Sequence, residues 1–260
     1  MNASTTIFMS RGPVAFFTIN RPAAGNAMTW AMYDALAEAC ERVDADAGLR
    51  VFVIRAAGGV FCTGTDISQF TTFATREDGL AYERRLESCV ARLERVAIPT
   101  IAQVEGIAAG AGCAIALACD LRVCSPLARF GVPIARTLGN GLSFENCARL
   151  VESFGIARTR TMLITGGFVE ASEAAAAGVV TRLADPAAVE RAVDELAAAI
   201  ARNAPLTLRA AKKALARLSV QGRQDAGEIA DLVADCYASA DFREGVSAFL
   251  SKRKPTFTGH

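Results

Sequence analysis

The chain has 260 residues, of which 52% are hydrophobic, and its formal net charge is +1. This length and apolar content are enough for a large core, and they fit one α/β domain with a helical appendage. The balanced charge disfavours a nucleic-acid-binding protein, which would carry an excess of basic residues.

The predicted elements alternate between strands and helices over the first half of the chain. They are strands 6–9 and 14–19, a helix 30–45 with Thr29 as N-cap, strand 50–55, a helical region 67–96, strand 99–104, helix 110–118 and strand 121–124. The helical region 67–96 is expected to be interrupted near Asp78–Gly79. This alternation is typical of parallel crossover units.

Helices dominate the chain after Gly178. The pattern predicts helices 186–203, 205–218, 225–239 and 242–250, with almost no strand between them. A helical region of this length is expected to pack against the core or a neighbouring subunit. We therefore divide the chain into a core, 1–200, and a C-terminal helical oligomerisation region, 201–260.

The cysteine pattern bears on the compartment and on metal binding. The chain has eight cysteines but no CxxC pair, and its one histidine is the terminal His260. We expect reduced, buried thiols and no metal site. The N-terminus lacks a basic segment followed by an apolar one, and the apolar run from Glu105 to Asp120 is too short to span a bilayer. The sequence therefore predicts a cytoplasmic protein without a membrane or nucleic-acid partner.

Two glycine-containing turns, each ahead of a predicted helix, are the most informative features of the sequence. They occupy 59–66 and 106–120. The N–H groups of a first helical turn lack an intrahelical acceptor, so two such turns can direct two donors at one oxygen. This arrangement is typical of an oxyanion hole. The alternative is that Gly110 and Gly112 serve only close helix packing.

Six segments along the chain have an order and spacing shared with one family. They are 20–22 with 26–28, 61–66, 106–120, 130–133, 203–205, and 241–245 with 249–250 and 252–257. In these segments the chain resembles the crotonase family, also called the enoyl-CoA hydratase/isomerase family. The resemblance implies an α/β fold, namely a spiral of ββα units with a C-terminal helical trimerisation region, assembled as a homotrimer or a dimer of trimers. It also implies an acyl-CoA substrate, of which coenzyme A is a part, and no separate cofactor.

The resemblance identifies two backbone amides as candidate thioester ligands and shows that two glutamates of the hydratase pattern are absent. In this family two backbone N–H groups bind the thioester carbonyl, and they correspond to Thr65 and Ala111. The second donor is usually glycine, so Ala111 adds a methyl group. The two glutamates that serve hydration in the family correspond to Ala114 and Ile134. Neither side chain can transfer a proton, and standard hydration is not expected.

Two other carboxylates are candidates for acid–base work. Glu87 falls where the 4-chlorobenzoyl-CoA dehalogenase branch carries its catalytic histidine, and Glu83 lies one turn earlier on the same helix face. The alternative for both is a solvated helix face. Glu145 opens a helix for which Ser143 is a suitable N-cap, and the alternative for Glu145 is a favourable charge at a helix N-terminus.

Three further positions are candidate substrate contacts: Ile134, Arg136 and Asn140. Arg136 can meet a carboxylate on the acyl group or pair with an acid of a neighbouring loop. Asn140 falls where the dehalogenase branch has its nucleophilic aspartate. An amide cannot attack as that aspartate does, but it can orient a water or a substrate carbonyl.

Contacts to coenzyme A are assigned by the resemblance to two segments, Arg21, Ala24 and Asn26 in the first and Lys252, Lys254 and Phe257 in the second. The second segment reaches the coenzyme of the same or an adjacent subunit in the family. Basic side chains suit the phosphates of the coenzyme. The alternative for the second segment is a solubilising tail.

Other residues near the two turns have simpler interpretations. Asp66 is expected to cap the helical turn that follows it, and Cys62 and Cys113 are expected to be small buried thiols. The reaction stays open between isomerisation, hydrolysis, retro-aldol cleavage and decarboxylation. A catalytically silent acyl-CoA-binding protein is the alternative. A nicotinamide dehydrogenase, indicated by Gly110-x-Gly112, is disfavoured because the third small position is Ile115.

Overall fold

The computed structural model describes residues 4–220, 234 and 236–256, without the side chains of 217–220. The strands are β1 (Thr6–Arg11), β2 (Val14–Ile19), β3 (Val51–Ala56), β4 (Thr100–Val104), β5 (Ile107–Ala109), β6 (Leu121–Cys124), β7 (Arg129–Gly131), β8 (Phe168–Glu170) and β9 (Arg182–Leu183). The α-helices are α1 (Trp30–Ala45), α2 (Arg76–Glu94), α3 (Ala111–Ala118), α4 (Ile134–Thr137), α5 (Phe144–Thr165), α6 (Ala171–Ala176), α7 (Val189–Ala201), α8 (Pro205–Val220) and α9 (Ala240–Leu250). Short 3₁₀ turns span Pro22–Ala24, Ile67–Phe70 and Pro186–Ala188.

A six-stranded sheet forms the centre of the molecule, in the order β1-β2-β3-β4-β6-β9. Only the β1–β2 pair is antiparallel, and the other neighbours are parallel. Helices therefore cover both faces, and central strand β3 is apolar on both sides from Val51 to Ile54. Phe52 and Ile54 face the core shared with α1, α2 and α3, whereas Val51 and Val53 face α7. The predicted α/β class with parallel crossover units is confirmed.

A second sheet of three short strands, β5-β7-β8, lies beside the first. A strand of the large sheet is followed by a strand of the small sheet and then by a helix, in β4-β5-α3 and again in β6-β7-α4. The turn between β4 and β5 needs glycine, because Gly106 has φ +63° and an added Cβ would lie 2.4 Å from the carbonyl oxygen of Gly59. This turn directs the chain into α3 beside the 59–66 segment.

The expected interruption near Asp78–Gly79 is wrong. The break falls earlier, between the 3₁₀ turn 67–70 and α2, and α2 begins with a capping box between Thr75 and Asp78. Gly79 lies within the continuous helix, where a Cβ would lie 2.1 Å from Cγ of Tyr237. The glycine therefore makes room for a neighbouring aromatic ring and does not end the helix.

Helix α9 packs on the same core as α2. Phe242 of α9 is fully buried and its ring lies 5.9 Å from that of Phe70. An added Cβ on Gly245 would lie 2.3 Å from the carbonyl oxygen of Leu138, so α9 sits directly on the segment after α4. The predicted helix 225–239 falls mostly outside the described residues. The division at residue 200 and the oligomerisation role of 201–260 stay predictions.

Within the described ranges, no helix combines the length and the apolar character needed to cross a membrane.

Candidate active site

The two glycine-containing turns lie side by side. Ala109 donates its N–H to the carbonyl oxygen of Cys62 at 2.8 Å, within a parallel bridge. A Cβ on Gly110 would lie 3.8 Å from Cα of Gly64, and one on Gly112 would lie 2.3 Å from the carbonyl oxygen of Cys62. The two backbones can approach this closely because these positions are glycines and carry no Cβ.

The N–H groups of Thr65 in one turn and Ala111 in the other have no acceptor among the hydrogen bonds of the described residues. Met28 N donates to Gly64 O at 2.8 Å and Asp66 N donates to Met28 O at 2.9 Å, so the bridge bypasses the N–H of Thr65. Ala111 is the first residue of α3, where an N–H has no intrahelical acceptor. The amides of Thr65 and Ala111 are thus available to a ligand on neighbouring turns.

Two buried tyrosines hold the side chain of Thr65. Its Oγ1 lies 2.6 Å from the hydroxyl of Tyr33 and 2.9 Å from that of Tyr82. Burial raises the pKa of both phenols well above the usual value, so both hydroxyls stay neutral. This network fixes Thr65 close to Tyr82, which lines the cavity next to Ala111.

A narrow cavity of about 40 Å³ opens beside the N-terminus of α3. Its walls include Ala111, Ala114, Ile134 and Asn140, together with Glu83 from α2. The two positions that carry glutamates in the hydratase pattern therefore face this cavity as apolar side chains. Among the described residues, Glu83 is the only carboxylate that lines it.

Glu83 is 6% exposed and is held at both oxygens. Tyr237 donates its hydroxyl to Oε1 at 2.8 Å, and Ser143 donates its N–H to Oε2 at 3.2 Å. Burial raises the pKa of Glu83 to about 7, although these two hydrogen bonds oppose the rise by stabilising the carboxylate. A carboxylate with this pKa can both take and return a proton near neutral pH.

The sequence pattern contained a signal for Glu83 that our interpretation did not use. Apolar α2 residues recur at helical spacing, and Leu86 and Val90 are buried one and two turns after Glu83. Glu83 therefore shares the buried face, which is unusual for a carboxylate without a cation. Our prediction treated it only as a neighbour of Glu87.

Glu87 and Glu145 face a different space. Glu87 accepts from Arg149 at 3.0 Å, and Arg149, itself 3% exposed, also donates to Glu94 at 2.7 Å. Glu87 and Glu145 line a second cavity of about 410 Å³, which also touches Glu83. Burial raises the pKa of Glu87, and the charge of Arg149 opposes that rise. Their acid–base roles stay predictions, but the structure brings Glu83, and neither of these two, to the cavity beside Ala111.

The three candidate substrate contacts are not equivalent in the structure. Ile134 and Asn140 line the cavity beside Ala111. Arg136 is exposed and does not line that cavity. It lies against Gly166, where an added Cβ would be 2.9 Å from the Cβ of Arg136. A substrate contact by Arg136 stays a prediction.

The first coenzyme segment is tied into the fold. Asn26 is fully buried, and its amide donates to the carbonyl oxygens of Ala57 and Val60 at 2.8 and 2.6 Å. Its Oδ1 accepts from the N–H of Arg21 at 2.7 Å. Ala24 ends the 3₁₀ turn between them and is half-buried. The side chain of Asn26 is therefore committed to the loops, and coenzyme contacts of this segment stay predictions.

Asp66 links this segment to the turn at 59–66. Its carboxylate accepts from Arg21 at 2.6 Å and from the N–H of Ser68 at 3.0 Å. The predicted N-cap role of Asp66 is confirmed. Burial acts to raise the pKa of this carboxyl, but the hydrogen bonds from Ser68 and Arg21 hold the pKa below its usual value.

The second coenzyme segment is only partly described. Lys252 and Lys254 are exposed, whereas Phe257 lies outside the described residues. Cys62 and Cys113 are fully buried thiols as predicted, and burial raises the pKa of each to about 12. Neither thiol therefore has thiolate character near neutral pH.

Comparisons with known proteins agree with this architecture. Residues 10–260 match the family model described as enoyl-CoA hydratase/isomerase. The chain is 35% identical over 248 residues to a 2,3-dehydroadipyl-CoA hydratase of Escherichia coli K12, and the match covers 95% of each chain. An enoyl-CoA hydratase/carnitine racemase structure from Magnetospirillum magneticum is 31% identical with a TM-score of 0.80, covering 100% of this chain and 97% of that one. An enoyl-CoA hydratase/isomerase structure from Xanthobacter autotrophicus Py2 is 26% identical with a TM-score of 0.86, covering 97% and 98%.

Proposed function

Since the chain belongs to the enoyl-CoA hydratase/isomerase family, whose members act on acyl-CoA thioesters, we propose that it forms a thioester enolate and moves a proton with Glu83. The reaction that fits is a shift of a carbon–carbon double bond relative to the thioester. The observation that carries the proposal is the position of Glu83 as the only carboxylate, among the described residues, on the cavity that Ala111 lines.

The amides of Thr65 and Ala111 are proposed to stabilise the enolate. Removing a proton next to a thioester places negative charge on the carbonyl oxygen, and backbone donors aimed at that oxygen lower the barrier. One such donor contributes about 3 kcal/mol of transition-state stabilisation. The contact between the two turns and the unused N–H groups support this assignment.

A single carboxylate favours isomerisation over hydration. In an isomerisation, Glu83 takes the proton from the α-carbon, the electron pair moves into a dienolate, and the same carboxyl returns the proton to the γ-carbon. No proton is gained or lost over the cycle. Hydration in the family uses two glutamates, and apolar Ala114 and Ile134 occupy those positions. We therefore expect crotonyl-CoA hydration to be slow or absent.

Coenzyme A is proposed to bind as part of the substrate, without a separate cofactor. Lys252 and Lys254 are exposed and can meet its phosphates, in the same or an adjacent subunit of a trimer. Arg21, which forms an ion pair with Asp66, is proposed to contact the coenzyme from the first coenzyme segment. A second candidate function, a silent acyl-CoA-binding protein, is favoured by one observation, the apolar residues Ala114 and Ile134 on the cavity wall.

The test is turnover of a trans-3-enoyl-CoA beside crotonyl-CoA, with calorimetry of coenzyme A binding. The proposal expects conversion of the 3-enoyl thioester into the conjugated 2-enoyl thioester, and little loss of crotonyl-CoA. Brisk hydration without isomerisation would contradict it. Binding without turnover over a range of thioesters would support the silent binding protein.

A further inference from the structure

A chain of hydrogen bonds fixes the orientation of Asn140. The hydroxyl of Tyr237 donates to Glu83, so the Tyr237 oxygen is left as an acceptor. Asn140 Nδ2 donates to that oxygen at 3.0 Å and to the carbonyl oxygen of Gly141 at 3.1 Å. Both contacts require the amide nitrogen, so the side-chain oxygen of Asn140 must point the other way.

That oxygen is buried and unused. Oδ1 of Asn140 has no hydrogen-bond partner among the described residues, although Asn140 lines the cavity that holds Glu83. A buried acceptor without a donor is costly, and the fold keeps this one in place through Tyr237. An unused acceptor on a residue that lines the proposed substrate cavity can be satisfied by a donor that the ligand supplies.

The surroundings define the chemistry of that donor. Val132, Ile134 and Leu142 line the same cavity, and its volume is only about 40 Å³. An ammonium group would lose far more hydration energy than a hydroxyl in such a place. A carboxylate of the substrate would meet an acceptor and the neighbouring carboxyl of Glu83, and Arg149, the cation on the cavity wall, is already paired with Glu87 and Glu94. A neutral hydroxyl is small enough and donates one hydrogen.

We propose that Asn140 accepts a hydrogen bond from a hydroxyl group on the acyl chain, so that the preferred substrates are hydroxyl-bearing short acyl-CoA thioesters. This inference rests on the proposed function and narrows its substrate class. It also makes Asn140 a specificity-determining residue of the site.

The test compares the equilibrium binding of butyryl-CoA with that of its 2-, 3- and 4-hydroxy derivatives by calorimetry. The wild-type protein is expected to bind at least one hydroxy derivative tenfold or more tightly than butyryl-CoA. In Asn140→Leu, the ratio of the two affinities is expected to fall to about one. Thr159→Val is the matched control, because it removes another buried, unpartnered oxygen that lies outside this cavity, and its ratio is expected to stay at the wild-type value.

The outcomes separate this inference from the proposed function. Butyryl-CoA binding without a preference for any hydroxy derivative would overturn the inference alone, since a bound water would then satisfy Asn140. A preference that survives in Asn140→Leu would overturn it as well. Absence of binding by every thioester would overturn the proposed function. The wild-type comparison remains decisive even if Asn140→Leu fails to fold.

Discussion

Glu83 sits where burial and hydrogen bonding oppose each other, and its pKa of about 7 is the result. A base must be ionised, so kcat/KM for isomerisation is expected to rise with pH through about 7 and then level off. Tyr237→Phe removes a hydrogen bond that stabilises the carboxylate, so the inflection should move to higher pH. A profile measured from pH 5.5 to 9 checks both points. A rate that is already constant from the lowest pH measured, as for a glutamate with the usual pKa of 4.5, would argue against Glu83 as the base.

The raised pKa of Glu83 also makes the free energy of unfolding depend on pH, and this contribution decreases as the pH rises. The folded protein holds the Glu83 proton more tightly than the unfolded chain does. This contribution to the free energy of unfolding is therefore fully present below pH 4.5 and is lost as the pH rises through about 7.

Glu87 is expected to matter for stability more than for chemistry. Glu87→Gln leaves the buried guanidinium of Arg149 with fewer charged partners, which should cost about 1–3 kcal/mol of unfolding free energy. Glu77→Gln is the control, because Glu77 forms an exposed ion pair with Arg84 on the same helix and should change the melting temperature little. Thermal unfolding measures the difference. A stable Glu87→Gln protein with tenfold lower turnover would restore Glu87 as the candidate base.

Sequence analysis proposed the two backbone amides of the site, but it did not single out Glu83 as the base. The resemblance to the family assigned the amides of Thr65 and Ala111, and that assignment stays a prediction. The choice between Glu83 and Glu87 depends on how α2 is rotated and on where Arg149 comes from, 62 residues later in the chain. Neither fact is local.

Among the elements, the contact between the two turns depends on residues that lack a side chain. Gly112→Ala would place a Cβ 2.3 Å from the carbonyl oxygen of Cys62 and push the turns apart. We expect a lower melting temperature and at least tenfold lower turnover of the folded fraction. Gly12→Ala is the control, because that glycine has φ +57° with open space around its Cβ position. It should lower stability by about 1 kcal/mol and leave turnover unchanged. Wild-type turnover in Gly112→Ala would separate the turn contact from catalysis.

The elements that sequence reasoning missed are short or set by distant contacts. Strands β5, β7 and β8 have three residues each, too few for an alternating pattern to show. The interruption that we expected near Asp78–Gly79 does not occur, and the helix continues through Gly79. Glycine is needed at position 79 because a larger side chain would clash with the ring of Tyr237, which is far away in sequence.

For the whole molecule, the resemblance of six segments was enough to predict the fold, but not the reaction. Their order specifies the sheet and helix framework over nearly the whole chain. The reaction depends on which side chains reach one small cavity, and Tyr237, far along the chain, holds two of them, Glu83 and Asn140.

The assembly is a prediction at the same scale. Leu206 and Leu215 of α8 are 74% and 67% exposed in the single chain, as expected for a surface that a second copy covers. Light scattering is expected to give three or six times the chain mass of 27.3 kDa. A mass of 27.3 kDa at every concentration would contradict the trimer.

The most direct measurement of enolate formation is exchange of the α-protons of butyryl-CoA in D₂O, followed by mass spectrometry. It needs no knowledge of the natural acyl group. The wild-type protein is expected to exchange these protons, Glu83→Gln to do so at least a hundredfold more slowly, and Glu87→Gln at close to the wild-type rate at a temperature where it is folded. Equal exchange by the wild-type and Glu83→Gln proteins, or none by either, would contradict the account.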